Sequence, residues 1–435
     1  MPAAKIYRFF LYAWLMLILT LTFHQFYLES FAPPSPQDIR GFALEKQVRR
    51  GGIYDRSGEL IADTPTIGGK RHLYDNSFLY SVGYHLSNIG ETGIELRYTR
   101  QLGGRDASAD LVEAVASAKG DTLVGADVIT TLDIHWQMAA VHALGGRKGA
   151  IVVLNPETGE ILSLVSEPSF DPDLLGKEAK LILDNPDAPL LNRATAGLYP
   201  PGSLFKLIVA SAAIRYHQDD HIFECKGETV VDGKPIRDAG GEVHGRLGIA
   251  AALKYSCNSY FIQMGLLLGP ARLRSEARRW GLGSSVDLPV PSSKGNLPLW
   301  GLSPAAVGSF AIGQSELLAT PLQMARAFGV IASGGWLRPV HLVKEIRYPM
   351  VGGEWPVYPG RSRQVISGGT AKVIRNWLSD AVSSGTGSRA YISGLNMAGK
   401  TGTAETGDGR SHAWFCAVAE AGKEKRVILV LVEHG

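Results

Sequence analysis

The stretch GAIVVLNPETGEILSLVSEPSF (residues 149–170) decides the fold, because it places two apolar runs around the turn sequence Asn-Pro-Glu-Thr-Gly. Such a pattern predicts a β-hairpin. The end of the chain returns to strand-like segments, NMAGKTGTAE (396–405), HAWFCAVAE (412–420) and KRVILVLVEHG (425–435), separated by glycine and charged turns. Strands at both ends of a domain with helices between them predict one sheet built from sequence-distant pieces, an α+β architecture.

The segments around this hairpin carry other patterns. TTLDIHWQMAAVHAL (130–144) opens with a candidate cap, Asp133, and continues with helical spacing. Residues 203–345 are mostly helical in pattern, whereas RRGGIYDRSGELIAD (49–63) alternates around an Asp-Arg-Ser-Gly turn and predicts a second hairpin. We expect residues 64–130 to form the rest of a small non-catalytic module.

Length and composition narrow the class of protein. At 435 residues the chain is long enough for two domains, one of them with a large core. Its formal charge of +3 and the lack of any lysine or arginine block give no argument for nucleic-acid binding. The cysteines, Cys225, Cys257 and Cys416, are odd in number and widely spaced, which predicts neither a metal cluster nor a disulfide framework. One pair could still form a disulfide.

The N-terminus predicts a membrane anchor. Lys5 and Arg8 precede an apolar run from Phe9 to Phe23 that, extended through Leu28, approaches the ~20 residues a helix needs to cross a bilayer. Basic residues before the run orient the remainder of the chain outside the cytoplasm. A cleaved signal peptide is the alternative, but no small-x-small cleavage site follows the run. We therefore expect an uncleaved single-pass helix.

The stretch YPPGSLFKL (199–207) places a serine straight after Pro-Pro-Gly and a lysine three residues on, inside an apolar run. Ser203 and Lys206 would share one helix face, so their side chains would be near enough to meet. Each residue also has an ordinary structural explanation, because Ser203 could be a helix cap and Lys206 could extend its ammonium to water. Two more motifs decide between these interpretations.

The stretches LKYSCNSYF (253–261) and AGKTGTAE (398–405) complete a set of three motifs. They add these candidate residues: Ser256, Cys257, Asn258, Lys400, Thr401, Gly402 and Thr403. The order S-x-x-K, S-x-N, K-T-G is typical of penicillin-recognising serine enzymes. Each motif alone is a weak signal, but all three in order behind an export anchor favour catalysis.

The chain resembles the class B penicillin-binding proteins, the monofunctional D,D-transpeptidases of bacterial cell-wall synthesis. Beyond the three motifs, the likeness includes RRGGIYDRSGELIAD, TTLDIHWQ, VVLNPETGEILSLVSEPSFDPD, GSFAIGQSELLATPLQMARAFGVIASGG and VSSGTGSRA. The resemblance implies a five-stranded, mostly antiparallel sheet flanked by helices, with an all-α subdomain. It divides the chain into a cytoplasmic tip (1–8), a transmembrane anchor (9–28), a stalk and pedestal (29–130) and a transpeptidase domain (131–435).

The motif residues suit acyl transfer, which needs an activated nucleophile, a base and donors for the oxyanion. Ser203 supplies the hydroxyl, and its place at a helix start directs unpaired backbone N–H groups toward a developing negative charge. Lys206 must lose its proton to act as the base, and the ordinary pKa of a lysine is about 10.4. Burial among apolar neighbours and a second cation such as Lys400 would lower that pKa.

The resemblance assigns roles to the remaining motif residues. Ser256 would relay a proton toward the leaving group, Asn258 would hydrogen-bond the substrate backbone, and Lys400 would tune the electrostatics. Thr401 and Thr403 would hold the terminal carboxylate of a D-Ala-D-Ala stem. The backbone N–H of Thr403 would be the second oxyanion donor.

The same resemblance implies the ligands and partners. Gly402 leaves room along the strand edge for a substrate, which would be a peptidoglycan stem peptide ending in D-Ala-D-Ala, with β-lactams as inhibitors. No cofactor and no metal are expected. About a hundred residues between Glu29 and Thr130 leave no room for a glycosyltransferase domain. Glycan polymerisation would then fall to a membrane glycosyltransferase of the shape, elongation, division and sporulation family.

Two other functions fit parts of the pattern. A β-lactamase or D,D-carboxypeptidase would pass the acyl group to water, but the anchor and pedestal argue against it, and nothing around Glu316 resembles a β-lactamase loop. A non-catalytic scaffold is the other alternative, because VILVLV (427–432) is apolar on both faces and no helix follows to cover one of them. His244 and His412 lack metal-ligand spacing, so we expect structural roles for both.

Overall fold

A computed structural model describes residues 12–22, 48–106, 109–298, 301–406 and 409–435 of the chain. A five-stranded sheet, the central sheet, combines two strands from residues 149–167 with three from residues 396–432. Its strands, in spatial order, are Asn396–Glu405, Ser411–Ala421, Glu424–Val432, Gly149–Leu154 and Ile161–Glu167. All neighbouring strands are antiparallel. The prediction of one sheet built from sequence-distant pieces is therefore confirmed.

The hairpin at residues 149–167 forms as its turn sequence predicts. The Asn155 N–H donates to the Glu160 carbonyl at 2.9 Å, and the Gly159 N–H donates to the Asn155 carbonyl at 2.9 Å. Gly159 has φ of 84°, and a Cβ at this position would lie 2.1 Å from the Pro339 carbonyl oxygen. Glycine is required here because the turn is left-handed and meets a neighbouring loop without space for a side chain.

Helices cover both faces of the central sheet. On one face, the helix Pro321–Ala332 packs against the strands and joins the main hydrophobic core. On the other face, the helix Ile134–Leu144 forms a smaller core with Ile151 and Val165. Asp133 caps this second helix by accepting from the His135 N–H at 3.0 Å, as predicted.

The last strand, Glu424–Val432, has two differently covered faces. Three side chains on one face are fully buried: Val427, Leu429 and Leu431. Three on the other face are half-buried and pack against the smaller core: Ile428, Val430 and Val432. The expectation of a bare apolar face is therefore wrong in part, because the helix Ile134–Leu144 covers some of that surface.

The remaining helices surround this framework. They are Leu79–Val82, Gly93–Arg97, Thr99–Leu102, Ala109–Lys119, Leu175–Leu183, Lys206–Arg215, Ile249–Tyr255, Asn258–Arg279, Pro304–Ala311 and Gly368–Ser384. Short 3-10 turns occur at Asn76–Phe78, Pro172–Leu174, Gly202–Phe205, Ala239–Gly241 and Ser388–Ala390. The long helix Asn258–Arg279 packs against Lys206–Arg215 and Pro304–Ala311, so the helical subdomain lies beside the central sheet.

Residues 203–345 are less helical than predicted. Two antiparallel ribbons interrupt the helices: Phe223–Cys225 with Gly245–Leu247, and Glu228–Val231 with Lys234–Arg237. The second ribbon turns at Asp232 and Gly233, which have φ of 52° and 74°. Asp-Gly is a favoured pair for a two-residue hairpin turn with positive φ at both positions, so this turn was visible in the sequence.

A six-stranded sheet, the pedestal sheet, lies in the first part of the molecule. Its strands, in spatial order, are Glu354–Pro356, Val343–Arg347, Asp127–Thr130, Ile53–Tyr54, Leu60–Asp63 and His72–Leu73. The hairpin predicted at residues 49–63 is confirmed. Two strands come from residues 343–356, so the sheet crosses the boundary expected at residue 130. Two more ribbons pair His85–Leu86 with Gly90–Glu91, and Trp336–Leu337 with Arg363–Gln364.

The segment expected to cross the membrane lies partly outside the described residues. Residues 12–22 are helical and exposed. Residues 1–11 and 23–47, which include the expected cytoplasmic tip and stalk, are outside the described ranges. Among the residues that the structure does describe, no helix is both long and apolar enough to span a membrane.

Candidate active site

The first and third motifs meet at the edge of the central sheet. Ser203 lies on the 3-10 turn Gly202–Phe205, which leads directly into the helix Lys206–Arg215. The helix start predicted for Ser203 is therefore a 3-10 turn, in which residues three apart lie on one face. This turn packs against Asn396–Glu405, the edge strand that carries Lys400 to Thr403.

Two glycines allow this close approach. Gly202 has φ of 54°, and a Cβ there would lie 2.4 Å from the Thr403 carbonyl oxygen. A Cβ on Gly402 would lie 3.1 Å from the Pro201 carbonyl oxygen. The Gly202 N–H donates to the Gly313 carbonyl at 2.9 Å, which fixes the turn that precedes Ser203. Small residues are therefore needed on both sides of the contact between serine turn and edge strand.

The second motif connects two helices of the helical subdomain. Ser256 ends the helix Ile249–Tyr255 with φ of 59°, in the left-handed region that non-glycine residues rarely adopt. Cys257 then caps the helix Asn258–Arg279, its sulfur accepting from the Tyr260 N–H at 3.3 Å. Such backbone strain is often found at functional sites, and here it directs Ser256 toward the first motif.

Lys206 links the first motif to the second. Its side chain has no exposed area. Its Nζ donates to the Ser256 carbonyl at 2.6 Å, the Ser256 hydroxyl at 3.2 Å and the Asn258 carboxamide oxygen at 2.7 Å. The Phe261 ring centroid lies 5.5 Å from Nζ. Burial lowers the pKa of Lys206 to about 7, although the negative charges of Cys257 and Asp238, when ionised, act in the opposite direction.

Lys400 is the second buried lysine of the site. It too has no exposed area. Its Nζ donates to the Thr386 hydroxyl at 3.3 Å and to the Thr401 carbonyl at 3.2 Å. Burial lowers the pKa of Lys400 well below its ordinary value, and the charge of Lys206 lowers it further. Both lysines are thus held in surroundings that disfavour their protonated forms.

Thr386 belongs to the site although it lies outside the three motifs. Its hydroxyl accepts from Lys400 and lies 3.1 Å from the Thr401 hydroxyl. Thr386 and Thr403 are exposed, whereas Thr401 and Ser203 are half-buried. The structure therefore opens this part of the edge strand to solvent. Thr386 lies within VSSGTGSRA, one of the segments in which the sequence resembles the family. That resemblance was the sequence signal that could have identified Thr386.

Asp238 is a second residue missed in the sequence. Its carboxylate accepts from the Asn258 N–H, from the Ser259 N–H at 3.3 Å and from the Ser259 hydroxyl at 2.5 Å. Burial alone would raise the pKa of Asp238, but these hydrogen bonds outweigh it and hold the pKa below its ordinary value. An ionised Asp238 therefore fixes the start of the helix that carries Asn258.

A cluster of potential metal ligands lies behind the second motif. Ligand atoms of Cys225, Asp238, His244 and Cys257 all lie within 4.8 Å of one another. Two thiols, an imidazole and a carboxylate are donors that suit Zn²⁺. The spacing of the cysteines in the sequence predicted no metal cluster, but the ribbon at residues 223–247 brings Cys225 and His244 to Cys257. A bound ion would hold the segment that carries Asn258.

Other residues considered in the sequence occupy different positions. The His412 ring packs edge to face on Tyr199 at 5.2 Å between centroids, in keeping with a structural role. Glu316 is exposed. Its neighbour Gln314 donates to the Thr403 carbonyl at 3.3 Å and thereby touches the edge strand. Cys416 is fully buried in the central sheet, as expected of a core residue.

Comparisons with known proteins agree with this geometry. Residues 149–435 match the family model described as the penicillin-binding protein transpeptidase domain. The chain is 31% identical over 453 residues to the peptidoglycan D,D-transpeptidase PbpA of Mycobacterium tuberculosis, covering 97% of this chain and 91% of that protein. It is 30% identical over 446 residues to the peptidoglycan D,D-transpeptidase MrdA of Acinetobacter baumannii, covering 91% of this chain and 64% of that protein.

Solved structures give the same result. The ceftriaxone acyl-enzyme complex of penicillin-binding protein A from M. tuberculosis matches with a TM-score of 0.84 at 30% identity, covering 90% of this chain and 94% of that one. Penicillin-binding protein 2 of Pseudomonas aeruginosa matches with a TM-score of 0.76 at 30% identity, covering 89% of this chain and 92% of that one.

A serine turn and a buried lysine between an antiparallel sheet and a helical subdomain define a serine acyltransferase of the penicillin-recognising class. The match over residues 149–435 identifies the family within this class. The chain belongs to the penicillin-binding protein transpeptidase family, and the resemblance stated from the motifs is confirmed.

Proposed function

We propose that this chain is a peptidoglycan D,D-transpeptidase that cross-links stem peptides through an acyl-enzyme on Ser203. The observation that carries the proposal is the position of Lys206, fully buried and hydrogen-bonded to Ser256 and Asn258. With its pKa lowered to about 7, a large share of Lys206 is neutral at physiological pH and can accept a proton. Acyl-enzyme complexes of a relative support the covalent route.

The first half of the reaction forms the acyl-enzyme. Ser203 Oγ attacks the carbonyl carbon of the penultimate D-alanine, and its proton passes to Lys206 Nζ. Backbone N–H groups of Ser203 and Thr403 hold the resulting oxyanion. The intermediate collapses to an ester as the bond to the terminal D-alanine breaks. That amine leaves with a proton delivered from Lys206 through the Ser256 hydroxyl, which lies 3.2 Å from Nζ.

The second half transfers the acyl group. An amine of a neighbouring stem peptide attacks the ester carbonyl and loses its proton to the Ser256–Lys206 pair. The ester bond breaks, Ser203 Oγ takes back a proton, and a new peptide bond joins the two stems. Water in place of the amine would give hydrolysis, so the reaction requires the acceptor amine to reach the ester first.

Substrate recognition falls to the edge strand and its neighbours. Thr401 and Thr403, two residues apart on the strand, would hold the terminal carboxylate, and Lys400 would tune the electrostatics around them. Gly402 would allow the stem peptide to lie along the strand edge. Asn258 would bind the peptide backbone while it holds Lys206.

The location of the enzyme follows from the proposed anchor. Residues 9–28 would form a single helix across the cytoplasmic membrane, with the transpeptidase domain outside the cytoplasm. Residues 29–130 would form the stalk and pedestal that raise the active site above the membrane. A membrane glycosyltransferase of the shape, elongation, division and sporulation family would supply the glycan strands.

Labelling with a fluorescent penicillin tests the proposal. The wild type should form a stable adduct whose mass and peptide map place the acyl group on Ser203, and Ser203→Ala should not label. Ser383→Ala, which changes an exposed serine outside the motifs, is the matched control and should label normally. An adduct on Ser256 would contradict the assignment. With stem peptide and acceptor amine, hydrolysis without cross-linked product would contradict transpeptidation.

A further inference from the structure

A cavity of about 490 Å³ lies between the first part of the chain and the transpeptidase domain. The helix Gly93–Arg97 and Tyr98 line it from one side. The loop at 285–289 and the helix Pro321–Ala332 line it from the other, and the loops at 339–343 and 357–360, which flank two strands of the pedestal sheet, complete the lining. A volume of this size accommodates a small organic ligand. No residue of the three catalytic motifs is among its lining residues.

Arg326 reaches the cavity from the middle of a helix that is otherwise packed in the core. Eleven of the twelve residues of Pro321–Ala332 are buried, whereas Arg326 is half-buried. Its Nε is inaccessible to solvent and has no hydrogen-bond partner among the described residues. No ion pair to Arg326 forms within those residues either, although guanidinium groups in proteins are usually paired when they lose water.

The electrostatics around Arg326 leave its charge uncompensated. Burial lowers the pKa of Arg326 to about 10, and the nearby charge of Arg363 lowers it further. Arg363 donates to the Arg279 carbonyl. Asp287 also lines the cavity, but it is exposed at the mouth and does not pair with Arg326. A desolvated guanidinium beside a second one favours an anion from outside the chain.

His341 lines the same cavity and carries a second buried polar atom without a hydrogen bond in the described part of the chain. Its Nδ1 is buried and has no hydrogen-bond partner within the described ranges. Burial lowers the pKa of His341, and the charge of Glu160 and a hydrogen bond to the Pro339 backbone only partly oppose this, so the neutral form of the ring is favoured. A neutral imidazole can donate or accept one hydrogen bond. A ligand could therefore meet a cation and a neutral polar group within one cavity.

We infer that this cavity binds a small organic carboxylate, with the carboxylate on the Arg326 guanidinium and an apolar body along the remaining walls. The planar fork of an arginine matches a carboxylate in a bidentate arrangement. Valine, leucine and proline side chains within residues 286–289, 339–343 and 357–359 contribute to the apolar wall, which is about half of the cavity surface. Inorganic anions lack the body that these walls would cover, so an amphipathic carboxylate fits better.

Such a ligand would contact both parts of the molecule. Arg97 and Tyr98 belong to the segment that precedes the transpeptidase domain, whereas Arg326 belongs to a helix on the other side of the cavity. A bound molecule would therefore stabilise the packing of the pedestal region against the transpeptidase domain. This inference does not depend on the transpeptidase reaction.

Binding of 3-phenylpropionate, with 3-phenylpropanamide as the neutral analogue of the same shape, tests the inference. The carboxylate should bind the wild type in titration calorimetry and raise its melting temperature in proportion to occupancy. The amide, inorganic phosphate and acetate should bind at least about tenfold more weakly, because each lacks either the charge or the apolar body.

Two variants locate the binding. Arg326→Met should weaken binding by about ten- to a hundredfold, the loss expected for a charge-assisted hydrogen bond, and should leave the melting temperature of the free protein unchanged or higher. Ser285→Trp, at an exposed position on the cavity wall, should block binding if Arg326→Met fails to fold. Arg246→Met, an exposed arginine away from the cavity, is the matched control.

The results that would overturn the inference are distinct from a failure of catalysis. Equal binding of carboxylate and amide, no binding of the carboxylate to the wild type, or undiminished binding to Arg326→Met and Ser285→Trp would each contradict it. All three variants should retain wild-type penicillin labelling, since none touches the catalytic motifs. Absence of labelling in the wild type would contradict the proposed function and leave the binding result intact.

Discussion

The catalytic cleft and the pedestal region both bury charged side chains, but only the pedestal region pairs them. Four residues there form the arginine–glutamate cluster: Arg50, Arg71, Glu91 and Glu95. Glu95 is 1% exposed and accepts from Arg71 at 2.6 Å and from Arg50 at 3.0 Å. Burial alone would raise the pKa of Glu95, but the charges of Arg71 and Arg50 outweigh it and hold the pKa below its ordinary value.

The two buried lysines of the cleft have no such partner among the residues that the structure describes. Lys206 and Lys400 are fully buried, and their hydrogen bonds go to neutral carbonyl, hydroxyl and carboxamide oxygens. Their pKa values are therefore lowered by burial, whereas the charged forms are retained in the arginine–glutamate cluster. The difference shows that the counter-charge, and not burial alone, decides whether a buried group is a structural ion or an available base.

Removing a cleft lysine should change the rate of acylation and spare stability. We expect Lys206→Met to lower the second-order rate constant of penicillin labelling by about 10²–10⁴, the contribution of a general base. Its melting temperature should be unchanged or higher, because an unpaired buried amine costs free energy when charged. Stopped-time fluorescent labelling and a thermal melt measure the two quantities.

The control for this variant is Lys372→Met, which removes an exposed lysine from the helix Gly368–Ser384. It should match the wild type in both measurements. If Lys206→Met labelled at the wild-type rate, the unpaired lysine would not be the base, and the contrast with the arginine–glutamate cluster would lose its functional meaning.

Removing the charge of the paired glutamate should have the opposite outcome. We expect Glu95→Gln to lower the free energy of unfolding by about 3–5 kcal/mol, because it removes the ion-pair partner of the buried Arg71 and leaves Arg50 paired with Glu91. The rate of penicillin labelling per folded molecule should not change. Urea denaturation and active-site titration on the same samples separate the two effects.

An exposed ion pair provides the matched control for Glu95→Gln. Lys70 and Asp173 are 56% and 45% exposed, so Asp173→Asn should have little effect on unfolding. Equal destabilisation by both variants would mean that burial does not increase the contribution of the arginine–glutamate cluster to the free energy of unfolding.

The sequence predicted the features that rest on local chemistry and missed those that rest on long-range pairing. The hairpin around Asn155 and the burial of Lys206 followed from turn residues and an apolar run. The pairing of strand Val343–Arg347 with the pedestal sheet did not, since strands distant in sequence carry no local sign of their partner. Asp238 and Thr386 were missed for the same reason, because each acts on a motif that lies elsewhere in the chain.

The pH window in which stability changes should differ between the two regions, although both contributions rise with pH. Lys206 has a folded pKa of about 7 and an ordinary value of 10.5, so between these pH values the unfolded chain binds more protons. Its contribution to stability therefore rises with pH in this window, by about 1.4 kcal/mol per pH unit, and is constant below pH 7. Glu95, with a lowered pKa, contributes fully above its ordinary value of 4.5 and loses that contribution as the pH falls through the lowered value.

Denaturation curves from pH 3 to pH 10 would measure this contrast. The free energy of unfolding of the wild type minus that of Lys206→Met should increase with pH above pH 7 and stay constant below it. The corresponding difference for Glu95→Gln should decrease only as the pH falls below 4.5. An alkaline rise of the same slope in wild type and Lys206→Met would show that the lysine is already charged or already exposed in the folded protein.

The cluster of potential metal ligands behind the second motif offers a third way to compensate buried charge, because a cation from solution would bind there. We expect the purified protein to bind about one Zn²⁺ per chain at Cys225, Asp238, His244 and Cys257, measured by elemental analysis. Chelation should lower the melting temperature and slow penicillin labelling, because Asp238 and Cys257 hold the segment of Asn258.

Cys225→Ser should lose zinc and reproduce the effect of the chelator, whereas Cys416→Ser, a buried cysteine in the central sheet, should retain it. Zinc bound equally well by Cys225→Ser would show that the cluster is not the site. A labelling rate that does not respond to chelation would show that its position behind the second motif has no effect on the cleft.

The smallest expected effect comes from the neutral partner of Lys400. Thr386 accepts from Lys400 Nζ and contacts the Thr401 hydroxyl, so it takes the place that a carboxylate occupies in the arginine–glutamate cluster. Thr386→Val keeps the shape and removes the hydroxyl. The loss of a neutral hydrogen bond is worth about 1 kcal/mol, so penicillin labelling should slow by about tenfold or less. Ser383→Ala, which removes a hydroxyl that donates to the Asp380 carbonyl, should show no change. Thr386→Asp would place a carboxylate beside Lys400, favour the protonated lysine and turn the cleft toward the paired arrangement of the pedestal region. If that variant labelled as fast as the wild type, the lack of a counter-charge beside Lys400 would not matter to acylation, and only Lys206 would need to lack one.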